Sequence, residues 1–212
     1  MSGIHVGSEP LASVGGALAP GKTDDVERGR ALAVPFGFGL TLTLHDRLDE
    51  LGPMWRAFEQ EAECTVFQAH GWLSHWQATV GIRHGTLPAI VVGRDGNGKV
   101  ACIFQLAVER SGPGRKLTWL ASDLCDYNAP LLARGWSETE RDFAALWRSI
   151  IDLVGADRRF RFDYVDLEKM PPEIGGRTNP FLALPVRIHP SGAHVATLAA
   201  DWEGFYAARR SA

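Results

Sequence analysis

Long hydrophobic runs are missing from this sequence. Gly, Pro or a charge breaks every apolar stretch well short of the ~20 residues that a membrane-spanning helix needs, so membrane insertion is not expected. An excess of positive charge is missing too. The 22 Lys and Arg stand against 25 Asp and Glu, for a net charge of −3. Such a chain has no basic field to favour nucleic acid or anionic lipid. Cysteine is scarce: Cys64, Cys102 and Cys125 are an odd number with no CxxC spacing. That excludes a disulfide framework and reads as reduced thiols in a cytoplasmic protein. The first residues lack a basic segment followed by an apolar one, and Asp24, Asp25 and Glu27 lie there instead, so no signal peptide is read.

Several catalytic signatures are absent as well. No Gly-x-Ser-x-Gly elbow occurs, which leaves hydrolase chemistry without an anchor. The seven histidines are not arranged as a ligand set: His70 and His75 are five apart, and no acidic or Cys partner completes a metal site. No metal is therefore expected. Glu109-Arg110-Ser111-Gly112-Pro113-Gly114 superficially resembles a phosphate loop. Its first position is acidic and Pro113 lacks an N–H, so it reads as a hairpin turn rather than a cradle of backbone donors.

What is present is an ordinary globular composition over 212 residues, 45% hydrophobic and 22% charged. Residues 1–36 are rich in Gly, Ala, Ser and Pro and are expected to form a disordered or weakly ordered leader. Phe38 to Leu44 alternates as a half-buried strand. Leu48, Leu51, Trp55, Phe58 and Ala62 predict an amphipathic helix over Arg47–Glu63, with Pro53 placing its start alternatively at Gly52. A second helix is predicted over Ala69–Val80, stopped by Gly81. Leu87–Gly93 and Val100–Val108 form a hairpin around Asp95-Gly96-Asn97-Gly98. Strands are expected at Lys116–Ala121 and Ala129–Ala133. A helix is expected over Trp136–Val154, with Ser137 as N-cap and Glu140 at the capping-box position. Phe160–Leu167 is a further predicted strand, 171–180 a loop, Val186–His189 with His194–Leu198 a final hairpin, and Trp202–Arg210 a helix. The expected class is α+β, layered, with a mostly antiparallel central sheet flanked by helices.

The Trp55 helix, the segment Phe67-Gln68 with Trp72-Leu73 and Trp76, the Gly-turn hairpin and the loop Asp126-Tyr127 with Pro130-Leu131 follow one another in a particular order. In that order they resemble the N-terminal half of GNAT-superfamily acetyltransferases of the cellulose-biosynthesis, CelD-like type. Trp202-Glu203-Gly204-Phe205-Tyr206 with Arg209-Arg210 resembles the segment joining that half to the second. The resemblance covers about residues 38–210. It implies a GNAT-like N-terminal lobe over 37–180 and the start of a second, truncated lobe over 181–212. It further implies acetyl-CoA as co-substrate, held by a C-terminal lobe missing from this chain. The activity it implies is transfer of an acetyl group to an amine or hydroxyl of a small-molecule or sugar acceptor, in polysaccharide or cell-envelope metabolism. The alternative is a non-catalytic lobe that binds an acceptor or a partner chain.

Candidate site residues follow. Asp126 and Tyr127, on a loop after a strand, are the candidate catalytic pair: a carboxylate and a phenol there can hydrogen-bond an amine or hydroxyl. Asn128 joins them as a candidate substrate-binding residue. The competing reading of this cluster is an Asx-turn with Tyr127 packed over the sheet edge. Phe67 and Trp72 are candidates to line an acceptor groove, since aromatic faces stack on sugar rings and apolar chains. Their spacing along the helix is what core packing requires, and core is the favoured reading. Cys125 beside Asp126 has its thiolate disfavoured and is read as a buried small residue.

Overall fold

The computed structural model describes residues 2–6, 31–33, 39–136, 140–192 and 201–210. Its strands are β1 (Ser2–Val6), β2 (Ala31–Ala33), β3 (Thr41–His45), β4 (Ala62–Glu63), β5 (Leu87–Arg94), β6 (Val100–Ser111), β7 (Gly114–Trp119) and β8 (Leu131–Ala133). After these come β9 (Tyr164–Val165), β10 (Leu167–Met170), β11 (Glu173–Ile174), β12 (Arg177–Thr178) and β13 (Arg187–Gly192). The helices are α1 (Leu48–Glu59), α2 (His70–Trp76), α3 (Ile82–His84), α4 (Glu140–Gly155) and α5 (Trp202–Arg210). The main sheet runs β2-β3-β5-β6-β7-β9, with β8 beside β6 and β4 beyond it. All its pairs are antiparallel except β7 with β9. The molecule is α+β, with helices on both faces of a mostly antiparallel sheet.

Alternation along the strands builds two cores. Leu42, Leu44, Val91, Phe104, Leu106, Leu117 and Trp119 point to one face and meet Phe143, Leu146, Trp147 and Ile150 of α4. Ile90, Val92, Ile103 and Ala107 point to the other and meet Leu51, Trp55 and Phe58 of α1 and Leu73 and Trp76 of α2. Phe181, in a 3-10 turn over Pro180–Ala183, is fully buried in the first core, so the packed unit continues past Pro180.

β6 spends its length on two neighbours. Residues Leu106 to Ser111 pair with β7, while Cys102 and Ile103 pair with β8. Where the partner changes, the chain leaves the sheet after Trp119 and returns at Leu131. The predicted Asp126-Tyr127 loop is therefore an excursion from a split in the sheet.

Several expectations are corrected. The first helix ends at Glu59, and Pro53 lies inside it rather than in its first turn. Pro53 is exposed, where its ring meets no packed neighbour on the core side. The second helix does not stop at Gly81. A π-helical segment over Gln77–Gly81 carries it into α3, and Gly85, with φ 68°, ends it. Gly81 is needed for close approach instead: a Cβ there would lie 2.2 Å from Gln77 Oε1 and 2.6 Å from the Trp76 ring. Phe160 belongs to a 3-10 turn over Arg158–Phe160, and the strand expected from it is reduced to β9 and β10. The expected leader contributes β1, which pairs with β10 and β13, and β2, which pairs with β3. Pro190-Ser191-Gly192, expected as a turn, lies within β13. The Ser137 cap and the His194–Leu198 strand fall outside the described residues.

Candidate functional site

Three of the five predicted site residues come together. Phe67 lies in a 3-10 turn over Val66–Gln68 whose start is fixed by a capping box: Phe67 N–H donates to Thr65 Oγ1, and Thr65 N–H donates to Gln68 Oε1 at 2.8 Å. The Phe67 ring meets Trp72 edge-on, with centroids 6.1 Å apart and planes at 82°. It meets Tyr127 at 6.0 Å and 43°. Phe67 and Tyr127 are half-buried and Trp72 is 38% exposed. The three rings form a shelf, continued by the exposed Val66 and Leu124. Trp76, on the same helix as Trp72, is buried in the second core and is not part of the shelf.

The loop under the shelf is held from all sides. At its base, Leu120 N–H donates to Gln105 O at 2.9 Å, and Gln105 Nε2 donates to Ala129 O at 2.5 Å. One residue of β6 thus ties both ends of the excursion. Gln68 Nε2 donates to Tyr127 O, and Trp55 Nε1 donates to Gln68 O at 3.1 Å. Trp72 Nε1 donates to Cys125 Sγ at 3.4 Å, and the Cys125 thiol in turn points at Phe67 O, 3.9 Å away. Lys169 Nζ donates to Asp123 O at 3.0 Å.

Asn128 is buried and occupied. Its N–H donates to Lys169 O at 2.9 Å and its Nδ2 to Glu168 O at 3.1 Å, so it fastens the loop to β10. These bonds give Asn128 a positioning role in the loop. Asp126 and Asp123 are exposed beside the shelf. Ala121 (φ 63°) and Lys169 (φ 54°) are non-glycine residues in the left-handed region. That conformation costs roughly 1–2 kcal/mol for an L-residue, and both flank this loop.

Burial pushes the Cys125 thiol up, and Asp123 and Asp126 add to that against Lys169. The burial disfavours the thiolate of Cys125, while the Trp72 N–H and Lys169 oppose that shift.

Sequence reasoning missed a second polar group on the same side of the sheet. Glu109 is held by Thr86 Oγ1, which donates to its Oε1 at 3.2 Å, and by Lys116 Nζ at 4.0 Å. Lys116 also lies 3.7 Å from Asp166. Burial raises the Glu109 carboxyl above the usual carboxylate range, while Lys116 and Thr86 oppose the shift. The signal was available in part: Glu109 falls in phase with Gln105 and Ala107 on an otherwise apolar strand.

His70 is structural. Its Nε2–H donates to Leu48 O at 2.8 Å, and Nδ1 accepts from Arg56 at 3.1 Å. Among the described residues no group of three or more His, Cys, Asp and Glu is arranged to hold a metal, and no helix is long and apolar enough to cross a membrane. A small, open cleft lies among Glu63, Leu132, Ile174, Arg177 and Asn179, and none of the five predicted residues lines it. Its Arg177 is committed to the carbonyls of Ala133 and Trp136.

No family model, no curated protein and no solved structure matches this chain.

Proposed function

We propose that the chain is the acceptor-binding lobe of a GNAT-type acyltransferase. In this reading the complete enzyme moves an acetyl group from acetyl-CoA to an amine or hydroxyl of a small-molecule or sugar acceptor, in polysaccharide or cell-envelope metabolism. The observation that carries the binding role is the half-exposed shelf of Phe67, Trp72 and Tyr127, the last on a loop tied at both ends by Gln105. A rigid aromatic surface beside exposed carboxylates suits a ligand with one apolar face and a polar edge. The acyl-transfer role rests on the order of sequence motifs described above.

Phe67 and Trp72 would stack on the acceptor, and Asp126 and Tyr127 would bond its reacting N or O. That atom attacks the thioester carbonyl. A C–N or C–O bond forms, the C–S bond breaks, coenzyme A leaves, and the acceptor's proton passes to a base. Gly112-Pro113-Gly114, the nearest string to a phosphate cradle, is the tight turn between β6 and β7. The reading therefore gives the donor to a second lobe outside these residues. The exposed Val66 and Leu124 beside the shelf favour the second reading, a lobe that binds a ligand or partner without catalysis.

Calorimetric titration of the 212-residue chain with acetyl-CoA is expected to give weak binding or none. A dissociation constant in the low micromolar range, about −8 kcal/mol, would move the donor site into this lobe. In the complete enzyme, Asp126→Asn and Tyr127→Phe are expected to lower kcat and kcat/KM together with the melting temperature nearly unchanged. Parental kinetics in both variants would remove the pair from the chemistry.

A further inference from the structure

We infer that the Phe67–Trp72–Tyr127 shelf is a cation-recognition site, built for an alkylammonium group rather than for a neutral ring. The inference deepens the reading of the shelf as a ligand surface and rests on it.

The rings supply the first half of the argument. Trp72 is partly exposed, and Phe67 lies between it and Tyr127, with its centroid 6.1 Å from Trp72 and 6.0 Å from Tyr127. The face of an aromatic ring carries negative potential and attracts a cation, Trp most strongly. The Trp72 N–H edge is turned inward to Cys125, and the 38% of the residue that is exposed is what a ligand can reach.

The polar rim supplies the second half. Asp123 and Asp126 are exposed on the loop that carries Tyr127, either side of the Cys125 that Trp72 touches. Lys169 is the cation facing Cys125, and its ammonium is bound to the main-chain oxygen of Asp123. Carboxylates only accept hydrogen bonds when ionised, whereas an ammonium only donates. A neutral sugar needs donors and acceptors in alternation. A rim made of carboxylates complements a ligand that is all donor or all positive charge.

The test compares choline with its uncharged isostere, 3,3-dimethyl-1-butanol, and with glucose, by saturation of tryptophan fluorescence in the full 212-residue chain. Choline is expected to saturate at a concentration at least several-fold lower than the isostere. Trp72→Leu is expected to abolish the response, and the double variant Asp123→Asn, Asp126→Asn to erase the preference for choline. If Trp72→Leu does not fold, the double variant, changed only at exposed positions, still decides. Equal affinity for choline and isostere, or a preference for glucose, overturns the cation site while leaving a ligand-binding shelf. No saturable response to any of the three overturns both.

Discussion

On the α4 side of the sheet, Phe104, Phe143, Trp147 and Phe181 pack ring against ring, with Phe181 at 5.0 Å from both Phe143 and Trp147 and 5.6 Å from Trp119. On the α1–α2 side, Ile90, Ile103 and Ala107 share their face with Gln105 and Glu109, under a helix with a π-helical segment. Four buried side-chain N or O atoms lack a hydrogen-bond partner among the described residues. Trp119 Nε1 lies on the first face; Trp76 Nε1, Gln77 Oε1 and Gln105 Oε1 lie on the second. An interior designed only for stability minimises such atoms, because each costs roughly 1–3 kcal/mol. Of the three residues on the second face, Gln105 is the one that bonds the loop carrying Tyr127. One face maximises packing, and the other trades part of that for the geometry of a site.

Phe181→Ala is the severest test of the first face. The ring is fully buried against four aromatic neighbours, so its loss is expected to cost about 3–5 kcal/mol in chemical denaturation. Trp147→Ala belongs to the same class. An unchanged denaturation midpoint in either would show that this face is not the dry anchor described here.

Gln105→Leu tests the second face at its centre. It removes an orphan acceptor but also the donor to Ala129 O. The expected stability loss is smaller, about 1–2 kcal/mol, since the buried Ala129 O loses its donor while the orphan Oε1 disappears. The expected functional loss is larger, because the two ends of the loop are no longer tied and ligand affinity at the shelf should fall several-fold. If the variant loses as much stability as Phe181→Ala and no affinity, Gln105 is a core residue and the contrast between the faces fails.

The smallest expected effect is that of Glu109→Gln. Burial raises this carboxyl in the folded chain, so the fold holds the proton more tightly than the unfolded chain does. The resulting stability is full below the ordinary carboxylate range and is lost as pH rises through the raised value. Gln keeps a polar group for Thr86 without the charge. The variant should melt at or above the parent temperature at neutral pH and show a flatter profile across the acid range. A variant less stable at neutral pH would mean that the Lys116 pair outweighs the burial.

Much of the site was legible because it is local. Phe67 and Trp72 are five residues apart, and the Asp126-Tyr127 pair follows a strand and a turn-rich segment, so composition and spacing suffice to nominate them. The Leu87–Arg94 and Val100–Ser111 hairpin was equally open to reading, since alternation and the Asp95-Gly96-Asn97-Gly98 turn agree. The helix stop was not. Gly81 looked like a terminator because Gly commonly ends helices, yet its task is to let Gln77 and Trp76 pack against bare backbone. Phe160 broke the strand pattern for a similar reason: its ring fills the first core, and burial there overrides the alternation around it.

The sequence by itself determined the antiparallel hairpin and the amphipathic faces of α1 and α4. Periodicity and turn chemistry act over a few residues and are written in the chain. Only the tertiary structure decided that Phe67, Trp72 and Tyr127 share one surface, that Asn128 is a fastener, and that Gln105 closes the loop. Those outcomes depend on bonds across wide separations, from Asn128 to Glu168 and Lys169 and from Gln68 to Tyr127. A buried amide takes whichever carbonyl the fold brings within about 3 Å, and no local pattern specifies which one that will be.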